Sequence, residues 1–349
     1  IYYVSTDGDD SNPGTSPKLA WRTITHAAKV AKAGDLVRIK GGDYGPENVV
    51  IKNSGTPEAP IRFEAYDGAA VLDGLAAKEN REELERRWKE LEEQKKRGEK
   101  RGVSLSMKGR GVKVVGKSYI VLKGITTISF GMGIVVKKSH HVTVEKCTAG
   151  LCGGWAGIAL YDCRDCQVKH CTAYNCTMFN IGVGGGERNT IEDCWSYSDP
   201  RLRGVYPGVD TSTDYCYCAV NAKKIVFRRC CGGRAPADID TDPAARYRWA
   251  EVEPRHFGAG HGLAFTAGGG HSPGCKDCRV EDCQMYDCWA LFEARHGSSD
   301  LTFINCYGDA FNRERANNWG FRIHTASNVL VKNCRIRGIA TGLFAGNLD

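Results

Sequence analysis

"CQVKHC", residues 166–171, is a short alternating segment that ends on a cysteine, and its pattern recurs along the chain. The same design appears in "VTVEKC" (142–147), "NTIEDC" (189–194), "IVFRRC" (225–230), "CRVEDC" (278–283), "LTFINC" (301–306) and "VLVKNC" (329–334). The terminal cysteines lie 24, 23, 36, 53, 23 and 28 residues apart, and "YIVLKG" (119–124) extends the register 23 residues upstream, with Gly124 at the corner. A period near 23 with insertions is the signature of a solenoid. Strands this short, with Gly and Asn at the corners and no helices between them, predict an all-β chain wound as a parallel β-helix. Cysteines at equivalent corners then stack as a ladder inside the core, where free Cys acts as a small buried hydrophobe. CxxC occurs at 163–166 and 275–278, but in strand context and without a second matched pair, so zinc is not expected; a few disulfides stay open.

Composition agrees with a folded, turn-rich chain. Of 349 residues 42% are hydrophobic and 42 are Gly, against 11 Pro. The formal net charge of +7 is spread along the sequence, which favours anionic partners without naming one. Nucleic acid is not expected as a partner, because the basic residues form no recognisable module. No apolar run approaches the length of a membrane span. A chain that opens at Ile1 without Met reads as processed, so the expected location is secreted or periplasmic with a signal peptide removed. A monomer is expected.

The whole of 1–349 reads as one domain with two helices. A capping helix is predicted over 22–33, because the end of a solenoid otherwise exposes an open edge. Strands "LVRIKGG", "NVVIKNS" and "PIRFEAY" follow it. The segment 78–101, "KENREELERRWKELEEQKKRGEKR", is almost wholly charged and places Leu84, Trp88 and Leu91 at i, i+4 and i+7. It predicts an amphipathic helical insertion, either lying on the solenoid wall or covering a groove.

The opening "YYVSTDGDDSNPGTS…WRTITHAAKVAKAGDLVRIKGGDY", followed by "SGTPEAPIRFEAYDG", resembles right-handed β-helix proteins that act on polysaccharides, in particular polysaccharide lyase family nine, the pectate-lyase-like enzymes. The resemblance implies a right-handed β-helix and cleavage of an acidic, uronate-containing polysaccharide by calcium-assisted β-elimination. It also implies a calcium site made by an Asp on one coil and an Asp-Asp-x-x-Asp group on the next.

The matching residues are Asp214 in "TSTDYCYC" and, 24 residues later, Asp238 in "ADIDTD" (237–242), with Asp242 four further on. Ile239 stands at the second acidic position, and Asp240, offset by one, is its substitute. Alternation in an extended segment puts Asp238, Asp240 and Asp242 on one face, where three negative charges repel unless a cation lies among them. Calcium takes six to eight oxygen ligands, which suits this set. A solvated turn is the plain alternative.

The family places a Lys on the following coil, in a Gly-rich segment like "GHGLAFTAGGG" (260–270), and here that position is Ala264. Elimination still needs a base for the proton α to the carboxylate. His261 and Lys276 are the candidates, with His261 having a suitable intrinsic pKa. "LFEARHGSS" (291–299) supplies Arg295 and His296, and "WGFRIHTAS" (319–327) supplies Arg322 and His324. Its "RHG" resembles a motif of another β-helix lyase family, active on alginate and chondroitin, in which the Arg assists the chemistry. Guanidinium groups on successive coils match uronate carboxylates bidentately, so Arg295 is assigned to catalysis and Arg322, His324 and His296 to substrate. Tyr206, Trp249 and Trp319 are candidate sugar platforms, as is Tyr247.

Two other readings stay open. "GHG" followed by an Arg also resembles polygalacturonase-type glycoside hydrolases, which invert with paired carboxylates and no metal. A non-catalytic carbohydrate-binding β-helix is the third, and Ala264 at the lysine position is its best support.

Overall fold

The computed structural model describes residues 1–98, 107–198, 215–234, 259–266, 274–310 and 319–346. These residues form a parallel β-helix. Every strand pairing among them is parallel, and strands within the stack pair with their equivalents one coil before and one coil after. A ten-stranded sheet forms one side of the solenoid; the strands of the other sides are gathered into a nineteen-stranded sheet.

The corners explain the sequence period. Lys146, His170, Asp193, Arg229, Asp282, Asn305 and Asn333 all have φ between 47° and 54°, and each immediately precedes a ladder cysteine. One left-handed residue turns the chain sharply, a conformation Asn and Asp tolerate best among residues with a Cβ. The N–H of each corner residue from Lys146 to Asn305 reaches the next coil, as from Lys146 to the Lys169 carbonyl at 3.1 Å and from His170 to Glu192 at 3.0 Å. Gly124 departs from expectation here. It donates to the Glu145 carbonyl at 3.1 Å and so stacks on Lys146, while Thr126 pairs with Thr148 and Ile125 therefore takes the place of the cysteine. The true spacing in that coil is one residue shorter than the pattern suggests, because the αL position and not the cysteine is the invariant of the corner.

All 17 cysteines are free, and all but Cys334 are buried. The ladder thiols donate to backbone carbonyls, as Cys147 does to Glu145 at 3.3 Å and Cys194 to Glu192 at 3.2 Å. Burial, reinforced by hydrogen bonding to neighbouring ladder cysteines, pushes the thiols of Cys147 and Cys194 well up, so they stay protonated and inert. A native sample treated with a thiol reagent should therefore label Cys334 first, with the other thiols reacting only after denaturation; rapid labelling of Cys147 or Cys194 in the folded protein would contradict the ladder.

Inside the ten-stranded sheet a column of apolar side chains runs Ile134, Ile158, Ile181, Tyr217, Leu263, Phe292 and Phe321, in register from coil to coil. Each is at most 4% exposed. The Tyr217 hydroxyl lies 2.7 Å from the Cys194 carbonyl and 2.8 Å from that of Cys231, which satisfies its polar end in the core. On the outside of another side, charges alternate: Glu145 lies between Lys123 (3.9 Å) and Lys169 (3.5 Å), and Arg228 between Glu192 (3.6 Å) and Glu281 (2.9 Å). Opposite charges on neighbouring rungs avoid the repulsion that identical stacked residues would create.

The capping helix α1 spans Ile24–Val30, inside the predicted 22–33. Thr23 caps it by accepting from the His26 N–H at 3.0 Å, and Ile24, Ala27 and Ala28 are buried in the same apolar cluster as Val37 and Val49. The insertion forms α2, Lys78–Lys96, shorter than the predicted 78–101. Its N-terminal half is tied to the body by Asn80, 1% exposed, which donates to the Gly74 carbonyl at 2.9 Å and accepts from the Lys108 N–H at 2.8 Å. Leu84 and Leu75 both pack on Met107. Trp88, expected on the same apolar stripe, is instead 42% exposed, its indole donating to Glu92 at 3.0 Å. No helix among the described residues is long and apolar enough to cross a membrane.

Candidate functional site

The outer face of the ten-stranded sheet carries a charged cluster at its C-terminal coils. In strand Cys288–Arg295 the alternation places Phe292 and Ala294 inward and Glu293 and Arg295 outward. Glu293 pairs in the ladder with Arg322, and Arg295 with His324, both of strand Trp319–His324. The Glu293 side chain is fully buried, with one carboxylate oxygen 3.1 Å from Arg322 and the other 3.6 Å from Arg295 Nε. A buried carboxylate is tolerable only if paired, and here two guanidiniums share it. They stay 15% and 19% exposed respectively for Arg295 and Arg322, so neither side chain is sealed from the surface.

Aromatic rings complete the cluster. Arg322 lies over Trp289 at 5.0 Å and over Trp319 at 4.9 Å, and the two indoles meet edge to face at 4.4 Å. Stacking of this kind fixes a guanidinium plane without using up its hydrogen bonds. Arg295 lies over the Tyr215 ring at 5.8 Å and is hydrogen-bonded through a terminal nitrogen to the Tyr215 hydroxyl. Burial pushes the Tyr215 phenol up to about 12 against the opposing charge of Arg295. His296 is a left-handed corner residue whose ring lies 6.5 Å from that of His324. Burial first, then the Arg295 and His324 charges, lower its pKa, so it is neutral at pH 7. The Nε2 of His324 is buried without a hydrogen-bond partner among the described residues.

Of the residues the sequence singled out, the structure brings Arg295, His296, Trp319, Arg322 and His324 together on one face. His261 lies on strand Ala259–Thr266, its backbone in register between Tyr215 and Ala290. Lys276 is not brought to the cluster. It sits past the corner that follows this sheet, stacked on Ser299, with its ammonium 3.8 Å from Asp300. Ala264 is fully buried and stacks between Cys218 and Glu293. Asp214, Asp238, Asp240, Asp242, Tyr206, Tyr247 and Trp249 lie outside the described residues.

The spacing argument that placed Asp238 one coil after Asp214 does not hold. Tyr215 pairs with His261, 46 residues later, so the coil that begins there is twice the length assumed. In sequence, Asp214 ends the segment that leads into strand Tyr215–Val220, and the other three acids precede the neighbouring strand Ala259–Thr266. Among the described residues no cluster of three or more His, Cys, Asp or Glu has the arrangement of a metal site. Sequence reasoning missed Glu293, Trp289 and Tyr215. Glu293 was legible, standing two residues before Arg295 and hence on the same face of a strand, whereas the contact of Tyr215 with Arg295 crosses two coils.

A family model for the Pel9A-like right-handed β-helix region matches residues 2–199. The chain belongs to that family. Over 71 residues it is 39% identical to pectate lyase PEL9 of Emericella nidulans, a stretch that takes in 20% of this chain and only 17% of that relative. Among solved structures, pectate lyase Pel9A is similar with a TM-score of 0.63 and 17% identity, over 99% of this chain and 79% of that one. A glycoside hydrolase is similar with a TM-score of 0.60 and 10% identity, over 96% of each chain. At these identities the structural likeness is one of fold.

Proposed function

We propose that this protein is a polysaccharide lyase that cleaves a uronate-containing polymer by calcium-assisted β-elimination on the outer face of the ten-stranded sheet. The observation that carries the reading is the Glu293 cluster. One buried carboxylate pairs with both Arg295 and Arg322, whose side chains stay partly exposed, and Arg295 reaches Tyr215, the residue that follows Asp214. Two preorganised guanidiniums beside aromatic rings are suited to a sugar carboxylate. Glu293 itself is committed to both arginines and is poorly placed to serve as one of a hydrolase's two working carboxylates.

In this reading Arg322 and Trp319 orient the sugar and Arg295 holds its carboxylate. The C5–H bond breaks, its electron pair forms the C4=C5 double bond, the C4–O4 bond breaks, and O4 leaves with a proton taken from solvent water. His261, on the strand beside Tyr215, is assigned as the proton acceptor, and neutral His296 holds the far edge of the cluster with His324. Asp214, Asp238, Asp240 and Asp242 would hold calcium, which when bound neutralises the uronate carboxylate and acidifies the neighbouring C5–H. Four carboxylates are a donor set of the right chemistry for it. A polymeric substrate of this kind also suits a secreted protein.

The test is incubation with a panel of polyuronates, with calcium or with a chelator, following the ultraviolet band of an unsaturated product alongside reducing ends. Unsaturated ends that vanish with chelator are expected. Reducing ends without that band would favour the hydrolase, and binding with neither signal would favour a carbohydrate-binding β-helix.

A further inference from the structure

Toward the N-terminal end of the same sheet lies a second feature, a groove of about 480 Å³ lined by Lys108, Arg110, Met132 and Trp155 over a floor that includes Gly131 and Gly154. The floor is bare backbone by necessity. A Cβ on Gly154 would fall 2.3 Å from the Gly131 carbonyl oxygen, and one on Gly131 would fall 2.5 Å from that of Met107. Trp155 is 58% exposed, an unusual position for so large an apolar side chain. Arg110 opens strand Arg110–Val115 of the ten-stranded sheet. The rim is held by the insertion: Asn80 of α2 grips Lys108 through both its N–H and its carbonyl.

We propose that this groove is a distal subsite that binds a uronate residue of the same polymer, several sugars away from the bond that is cleaved. The inference rests on the preceding reading for the nature of that polymer. A flat exposed indole is suited to the apolar face of a pyranose, and Arg110 and Lys108 beside it are suited to the sugar's carboxylate. The strand that follows Trp155, Ala156–Tyr161, lies four rungs from strand Cys288–Arg295. At the inter-strand spacing of ~4.8 Å that is about 19 Å, a span that only an oligosaccharide of several sugars would bridge. The insertion then has a role in fixing one rim of a binding groove through Asn80.

The test compares Kd for galacturonate oligomers of three and eight residues, with mannuronate oligomers of the same lengths in parallel, in the wild type and in Trp155→Ala, Arg110→Ala and the control Trp88→Ala. The expected result is an octamer bound more tightly than the trimer by the wild type. That octamer-to-trimer ratio should fall about tenfold in Trp155→Ala and in Arg110→Ala, and hold in Trp88→Ala. Wild-type binding of both lengths with a ratio untouched by Trp155→Ala and Arg110→Ala would overturn this subsite and leave the lyase reading standing. A wild type that binds neither uronate at either length would overturn both.

Discussion

Glu293→Gln is expected to lower kcat/KM on a polyuronate by about a hundredfold or more, on the scale of losing one preorganised donor to the transition state. It should also cost about 3 kcal/mol of stability, the scale of breaking a buried ion pair by removing one partner. The reason is geometric. Glu293 is the shared anchor of Arg295 and Arg322, and a neutral amide leaves two guanidiniums repelling one another over a site that can no longer neutralise either. The substitution preserves size, so stacking on the buried Ala264 of the neighbouring coil should survive. Steady-state kinetics should show the loss mainly in kcat, with Glu293→Asp recovering part of it. Wild-type kcat/KM in the Glu293→Gln variant would remove the cluster from the mechanism.

The second large effect is structural. Phe303→Ala should destabilise the fold by about 3–5 kcal/mol, the usual cost of emptying a buried phenylalanine site. Phe303 is 1% exposed and lies 5.9 Å from Phe265, 6.0 Å from Phe292 and 5.5 Å from Phe321, ring centre to ring centre, so three consecutive coils lose a shared partner. Denaturant titration with an unchanged m-value should register the loss. A shift below about 1 kcal/mol would mean that the coils close over the cavity, contrary to close packing.

The fold was legible because its period is written in chemistry that has one structural meaning. A strand, a single left-handed residue and a small buried thiol recur at Lys146–Cys147, His170–Cys171 and Asp193–Cys194, and the sequence shows the thiol. It does not show which residue of the pair turns the corner, and so Gly124 was placed one position late. The site was legible in part for the same reason: Arg295 and Arg322 stand on outward positions of neighbouring strands, which alternation reveals. Coil length was not. A constant period near 23 put Asp238 one rung from Asp214, but Tyr215 meets His261, because insertions lengthen a coil without disturbing the strands that flank it. Contacts that cross coils, such as Arg295 to Tyr215, depend on how far long side chains reach over the strand between them, which alternation within one strand does not reveal.

The masses of the products distinguish elimination from hydrolysis. A defined oligouronate that the protein cleaves should yield two fragments whose masses sum to that of the substrate, since elimination adds nothing across the broken bond. Fragments whose summed mass exceeds the substrate by one water would show hydrolysis and contradict the account.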